Sequence, residues 1–306
     1  MASALSTAFL SPKLFVASPE ALNRRYTLPE AERYTRWLAT SHYENFHVVS
    51  FLLPKKLHQD FYNVYAFCRW ADDLGDEIGD TAESLRLLAW WREGLQSMGS
   101  GNPEHPVFAA LGGTVRKHNL PLQLFHDLIT AFEHDQTVTR YRDWNEVFAY
   151  CRNSANPVGR LVLRLCGYDD PARDRLSDAT CTALQLANFW QDVIIDLEKD
   201  RVYLPLDLLD KHGYTLAELQ SRTCTPAFRA AMKEAVDLAH GLFVEGLALP
   251  KTVNRRLAFD LQLFSRGGMR VLQKIEQCNY NVLAARPAIT KWERAGLLGR
   301  CLLALL

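Results

Sequence analysis

Apolar residues in this chain recur at helical intervals. In "FYNVYAFCRWADDLGDE", residues 61 to 77, Tyr65, Phe67, Trp70 and Leu74 make a mostly apolar helix that runs into a cluster of acids. In "LQLANFWQDVIIDLEKDRVYLP", residues 184 to 205, Leu184, Leu186, Ala187, Val193, Ile194 and Leu197 do the same around a second set of acids, and Pro205 is expected to stop that helix. No segment keeps the period-two alternation of a half-buried strand. Gly and Pro punctuate at helix–loop spacing: Pro54, "SGNP" at 100–103, "GYDDP" at 167–171, Pro205, Pro226, Pro250 and Pro287. With helices of typically 12 to 25 residues between these marks and no low-complexity linker, the pattern predicts an all-α protein. It reads as residues 1–30, an N-terminal extension that is partly disordered, followed by one domain, 31–306, of about ten to twelve helices.

The acids carry the chemistry. Asp72 and Asp76 are four apart, one above the other on one helix face. Asp73 and Glu77 form a second pair, turned by about 100°. Like charges at this spacing repel by about 0.2–0.5 kcal/mol per pair on an open helix, and more where water is excluded. An acidic cluster is commonly a solvated helix end. Here the apolar flanks, and Arg69 three residues before Asp72, point instead to a cation held between carboxylates. Asn188, Asp192, Asp196 and Asp200 recur every fourth residue and drift about 40° per step, so three of them make one oxygen-rich stripe. Two such stripes suit a hard divalent cation such as Mg²⁺, which takes oxygen ligands, keeps waters and bridges to phosphate.

Composition narrows the field. Acidic and basic side chains number 35 each, which argues against bulk electrostatic binding to nucleic acid. The seven cysteines, at 68, 151, 166, 181, 224, 278 and 301, show no paired spacing, so they read as reduced thiols of a cytoplasmic enzyme and not as a zinc site. No stretch reaches the roughly 18 apolar residues of a membrane span. "AGLLGRCLLALL" at the C-terminus is expected to dock on the body or to touch the inner membrane peripherally. The first 19 residues lack acids, but Pro12 and Lys13 interrupt their apolar run, so a ragged start is preferred to a cleaved leader. "LGG" at 111–113 and "RGG" at 266–268 follow no strand and match no phosphate-binding loop.

The two long acidic motifs, with "YCRNSANPVGRL" at 150–161, resemble the signatures of the squalene/phytoene synthase family in order and spacing, over about residues 35–295. The resemblance implies an isoprenoid synthase fold with its active site in a central cavity between the aspartate helices. It implies Mg²⁺ as cofactor, held by Asp72 and Asp76 and by Asn188, Asp192 and Asp196. Tyr65 and Arg69 match diphosphate-contacting positions. His42, Tyr43, Asn45 and Phe46 of "HYENF" match the segment that closes over a diphosphate. Tyr150, Val158, Gly159, Gln185, Gln191, Lys199, Arg201 and Tyr203 fall in motifs that contact substrate.

The departures are as informative. Tyr43 and Asn45 stand where serines are usual, Asn156–Pro157 where Gly-Thr is commoner, and Gly267–Gly268 where relatives often carry a diphosphate-binding Tyr. The "ENF" and "SANPVG" variants look like the hydroxysqualene synthase branch of bacterial hopanoid synthesis, which takes presqualene diphosphate as its substrate. Phe46, Tyr65, Phe132 and Tyr150 are expected to offer π-faces to a carbocation. Asn156, biased away from the helical region by Pro157, is expected to orient the attacking water. The alternatives are a head-to-head condensing enzyme making presqualene diphosphate, squalene, dehydrosqualene or phytoene, and a non-catalytic assembly protein, for which intact aspartates at 72, 76, 192 and 196 would be superfluous. The lack of a Rossmann fingerprint speaks against hydride transfer to squalene, although enzymes of this fold can take NADPH in the cavity.

Overall fold

The computed structural model describes residues 9–41, 53–98 and 105–303. Within them the chain forms fifteen α-helices and no named strand, and the eleven of ten residues or more carry the architecture. Contacts divide the chain into two compact units, Met1–Thr137 with Arg164–Gly167, and Val138–Leu163 with Tyr168–Leu306. The first holds α1 (Pro12–Val16), α2 (Pro19–Asn23), α3 (Leu28–Ser41), α4 (Lys55–Asp76), α5 (Thr81–Ser97), α6 (Pro106–His118) and α7 (Leu122–His134). The second holds α8 (Trp144–Ser154), α9 (Asn156–Leu165, through Leu163), α10 (Pro171–Glu198), α11 (Leu206–Lys211), α12 (Leu216–Gln220), α13 (Pro226–Gly246), α14 (Arg255–Gln277) and α15 (Lys291–Leu303). Among the described residues no helix is long and apolar enough to cross a membrane.

In the first unit the helices bury i, i+3, i+4, i+7 faces: Ala31, Tyr34, Thr35 and Leu38 on α3, Phe67, Trp70, Ala71 and Leu74 on α4, Ser84, Leu87, Leu88 and Trp91 on α5. The α4 face ends in an aromatic cluster. Trp70 stacks on Trp91 with ring centres 5.0 Å apart, and Phe15 of α1 meets Trp70 edge-on at 5.2 Å. The Trp70 indole donates to the Tyr34 hydroxyl, which donates to the carbonyl of Leu10 (3.0 Å each). The stretch expected as an N-terminal extension therefore carries α1 and α2, with Phe15 in the core. A buried polar network joins α3, α4 and α6. Asp60 accepts from Thr114 (3.0 Å), Lys117 (2.6 Å) and His118 (3.0 Å), and Asn63 accepts from Thr35 while donating to Thr114.

In the second unit the long α10 packs against α8, α13 and α14. Small residues let the axes approach: Ala179, Ala183 and Ala187 on α10, Ala231, Ala235 and Ala239 on α13. A Cβ on Gly246 would fall 2.1 Å from the Thr180 hydroxyl, and one on Gly268 would fall 2.3 Å from the Phe243 ring. The caps follow the sequence punctuation. Asp170, Thr225 and Asn254 accept backbone N–H groups at the starts of α10, α13 and α14, with Pro171 and Pro226 at first helical positions. "LGG" lies inside α6 and "RGG" inside α14.

His105 shows what the first unit's core does to a titratable group. Its Nδ1 accepts from the Val107 N–H as the N-cap of α6, which leaves the proton on Nε2. Trp70, Trp90, Trp91 and Phe108 surround the ring, at 4.4 Å and 85° for Trp70. Burial pushes its pKa down to about 3, so the folded protein keeps it neutral while the unfolded chain protonates near 6.5. Its stabilisation is complete above pH 6.5 and is lost as pH falls from there towards 3, by about 1.4 kcal/mol per unit. His105→Asn keeps a capping side chain that cannot titrate. Stability measured by urea unfolding should therefore fall more steeply from pH 6 to 4 in the wild type than in the variant, and parallel slopes would refute the assignment.

Candidate active site

The first acidic motif occupies the last two turns of α4. Asp72, with 43% of its side chain exposed, and Asp76, at the final helical position, share a face with half-buried Tyr65. Asp73 points the other way and is buried. Its partner is Arg69, whose Nη2 lies 2.6 Å from Asp73 Oδ1 but whose nearest approach to Asp72 is 3.6 Å. The guanidinium expected to face Asp72 thus lies nearest to Asp73, one of two carboxylates that α4 buries. The Gly75 carbonyl accepts from Gln136, just past the end of α7, at 3.0 Å, and a Cβ on Gly75 would make only ordinary contact, 3.5 Å from that of Phe132. Phe132 itself is half-buried on α7.

The second motif lies on α10. Gln185, Asn188, Asp192 and Asp196 line the less buried side of the helix, with Leu186, Phe189, Trp190 and Val193 on the packed side. The stripe stops there. Lys199 is the C-cap of α10, and Asp200 takes a left-handed backbone (φ 55°) and pairs with Arg140. The helix therefore ends before Pro205, which instead caps α11, and Asp200 does not continue the row of oxygens. Beyond the turn, Arg201 and Tyr203 line a small, partly open cleft together with Asp196, Val193 and Leu219. Tyr203 stacks on Phe189 at 3.6 Å and 4°, and Tyr141 and Tyr150 lie 5.6 and 5.9 Å from it. Backbone pairing of 139–142 with 202–207 holds Tyr141 in this stack, which sequence reasoning did not foresee around Tyr150.

Asp192 is the most engaged of these carboxylates. Its side chain is 14% exposed, and Arg286, from the segment between α14 and α15, forks onto it: Nε donates to Oδ1, and Nη2 to Oδ2 at 3.2 Å. Nη2 also donates to Gln191 Oε1 (3.2 Å), and Gln191 Nε2 donates to the carbonyl of Pro287. The fork holds Arg286 still more firmly protonated. Arg286 lies 94 residues from Asp192, and only "LAARPAIT", a lone arginine before a proline, marked it in the sequence.

The SANPVG motif forms the junction of α8 and α9. Asn156 opens α9, and Pro157 follows in the first turn, where a missing N–H is tolerated, so the expected exit of Asn156 from the helix does not occur. Asn156 is buried, and its Oδ1 accepts from Thr182 of α10 at 3.0 Å. Val158 is 44% exposed. Gly159 lies against α10, where a Cβ would stand 2.3 Å from the Ser177 hydroxyl and 2.5 Å from the Cys181 sulfur. Of the glycines where relatives carry a Tyr, Gly268 has no room for a side chain and Gly267 opens on free space. His42, Tyr43, Asn45 and Phe46 lie outside the described residues.

The donor chemistry fits a hard cation. Among the described residues no three His, Cys, Asp or Glu side chains are gathered into a metal cage. The carboxylates are presented in pairs, as suits an ion that completes its shell with water and phosphate oxygens. The thiols beside them are not soft ligands: burial and the charge of Asp72 push Cys68 up to about 12, and burial pushes Cys181 up to about 11. A guanidinium already sits on Asp192, so the position accepts positive charge.

The pattern of the Squalene/phytoene synthase family matches residues 39–293. The chain belongs to that family. A phytoene synthase of Thermus thermophilus is 34% identical over 265 residues, 86% of this chain and 90% of that protein. A hydroxysqualene synthase of Rhodopseudomonas palustris is 31% identical, covering 76% of this chain and 80% of its own. Among solved structures, squalene synthase HpnC from Alicyclobacillus acidocaldarius superposes with a TM-score of 0.79 at 44% identity, over 83% of this chain and 96% of that one. The fold is therefore that of the squalene synthase-like isoprenoid synthases, as the motifs implied.

Arg69 and Asp72 have separable roles. Arg69→Met strands Asp73 in the core and should lower stability by about 3–5 kcal/mol. Asp72→Asn, at a half-exposed position, should change it by less than about 1 kcal/mol. Thermal unfolding of the two variants checks this, and equal losses would contradict the partnership.

Proposed function

We propose that this protein converts presqualene diphosphate to hydroxysqualene. What carries the reading is the four-residue pairing of aspartates, Asp72 with Asp76 on α4 and Asp192 with Asp196 on α10, in a chain 44% identical to a squalene synthase of known structure. Family membership gives the coarser statement, an isoprenoid synthase acting on prenyl diphosphates. The finer one is supported by relatives named hydroxysqualene synthase at 31% and 30% identity and by the ENF and SANPVG variants. Phytoene synthases at 34% keep head-to-head condensation as the second reading.

In this reading Asp72, Asp76, Asn188, Asp192 and Asp196 hold divalent cations. When bound, such cations supply Lewis-acid stabilisation of the departing diphosphate. The C–O bond breaks with its electron pair on the diphosphate, and the rearranged carbocation adds water and loses a proton. Tyr65 and Arg201 stand beside the two carboxylate pairs, where hydrogen bonds to diphosphate oxygens would be charge-assisted. Tyr150, Phe189 and Tyr203 give the second unit an electron-rich wall, worth about 0.5–2 kcal/mol per ring against a cation.

Supplied with Mg²⁺ and no NADPH, the protein should consume presqualene diphosphate, release diphosphate and yield hydroxysqualene, while leaving farnesyl diphosphate largely untouched. Efficient condensation of farnesyl diphosphate would move the assignment to the second reading. EDTA should abolish turnover, and Asp72→Asn and Asp192→Asn should each slow it at least ~100-fold, several kcal/mol of transition-state stabilisation. Full activity in excess EDTA would sink the metal assignment.

Asn156 offers a test of how the cation is quenched. With Oδ1 committed to Thr182, its amide N–H groups remain the candidates for orienting water. Asn156→Gly should leave ionisation intact but lower hydroxysqualene relative to eliminated hydrocarbons. An unchanged product ratio would leave Asn156 as a clasp between α9 and α10.

A further inference from the structure

We propose that Arg286 is a positioning residue that holds Asp192 as an internal counter-ion, so that a divalent cation binds the second stripe only by prising this guanidinium off. This rests on the reading of Asp192 as a metal ligand.

Arg286 is carried by a strap, residues 279–290, between α14 and α15. The strap leaves α14 through two left-handed residues, Asn279 (φ 53°) and Tyr280 (φ 58°), and Arg229 of α13 donates to the Asn279 carbonyl. Val282 and Leu283 are buried and anchor its first half. Its far end is fixed where Thr290 and Glu293 cap α15 reciprocally and Glu293 pairs with Arg270 and, at 2.9 Å, with Lys274 of α14. Between these anchors the strap meets α10 through Arg286 on Asp192 and Gln191, and through the Pro287 carbonyl on Gln191.

The fork takes one lone pair on each oxygen of Asp192. It also sets a full positive charge where a divalent ion would sit, so guanidinium and cation repel and compete for the carboxylate. The apparent affinity of the stripe is reduced by the fraction of time the fork is open. Opening it also frees Gln191 from Arg286, which loosens the Pro287 tie. Metal binding and strap release are then one equilibrium, and by reciprocity whatever loosens the strap tightens metal binding. A purely structural clasp would make no such link. It would cost stability on removal and leave metal affinity alone.

Mn²⁺ titration by calorimetry, without substrate, separates the cases in the full-length wild type, Arg286→Gln, Arg286→Lys, Asp192→Asn and the Arg286→Gln/Asp192→Asn pair. Arg286→Gln should bind Mn²⁺ about tenfold tighter, the equivalent of losing one competing charge-assisted hydrogen bond. Arg286→Lys, which keeps charge without the fork, should fall between, and the double variant should show no tightening. Amide exchange across 283–290 should speed up when Mn²⁺ is added to the wild type and not to Asp192→Asn. Should Arg286→Gln and Arg286→Lys bind Mn²⁺ as the wild type does while Asp192→Asn binds it more weakly, the counter-ion role is wrong and the metal assignment stands. Should Asp192→Asn and the wild type bind Mn²⁺ alike, both fall.

Discussion

A carboxylate on a packed helix must have a positive partner, and much of this structure is arranged around supplying one. Removing a lone carboxylate from water costs several kcal/mol, more than a single α-helix face contributes by packing. Asp73 meets that requirement with Arg69 one helical turn away, Asp60 with Lys117 and His118 of α6, and Asp192 with Arg286 from a distant strap. Asp72, 3.6 Å from the same Arg69, and Asp76 sit at the more exposed end of α4. Position in the helix thus sets how deeply each acid is buried, and on the proposed reading it is the shallower ones that meet a ligand.

The same sorting explains what could be read in the sequence. Helix periodicity, the Asp-Pro and Thr-Pro starts of α10 and α13, and the four-residue spacing of both stripes are local properties, and local geometry transmits them directly. Arg69 does lie beside Asp72, as its spacing suggested, but i+3 and i+4 are both within reach and the buried Asp73 is its nearer partner. Asp200 matched the period but fell after a left-handed turn, where periodicity no longer means a shared face. Arg286 was illegible, since its pairing depends on a chain reversal at Asn279–Tyr280 that no short-range signal specifies.

Close helix packing adds a second constraint. Gly159, Gly246 and Gly268 stand where a Cβ would collide with Cys181, Thr180 and Phe243. They bring neighbouring helices of the second unit against α10 closely enough for Asn156 to reach Thr182 and for the Trp190 indole to donate to the Ala235 carbonyl. Gly159, which the motif suggested as a substrate contact, is seen to do this packing work, so its presence in the motif has a sufficient steric reason.

Gly267 has no such reason. A side chain there would meet nothing, one position before a glycine that admits none. The two positions where the family resemblance led one to expect a tyrosine are therefore unlike, one open and one packed shut. On the proposed reading, an arginine forked onto the aspartate stripe puts charge, more than directed neutral hydrogen bonds, beside an anionic leaving group. Charge acts over a longer range and tolerates displacement, which suits a leaving group that must depart. On the same reading Arg286, by occupying Asp192, offsets its charge in the ligand-free protein, so one ion pair both ties the strap to α10 and tunes the site.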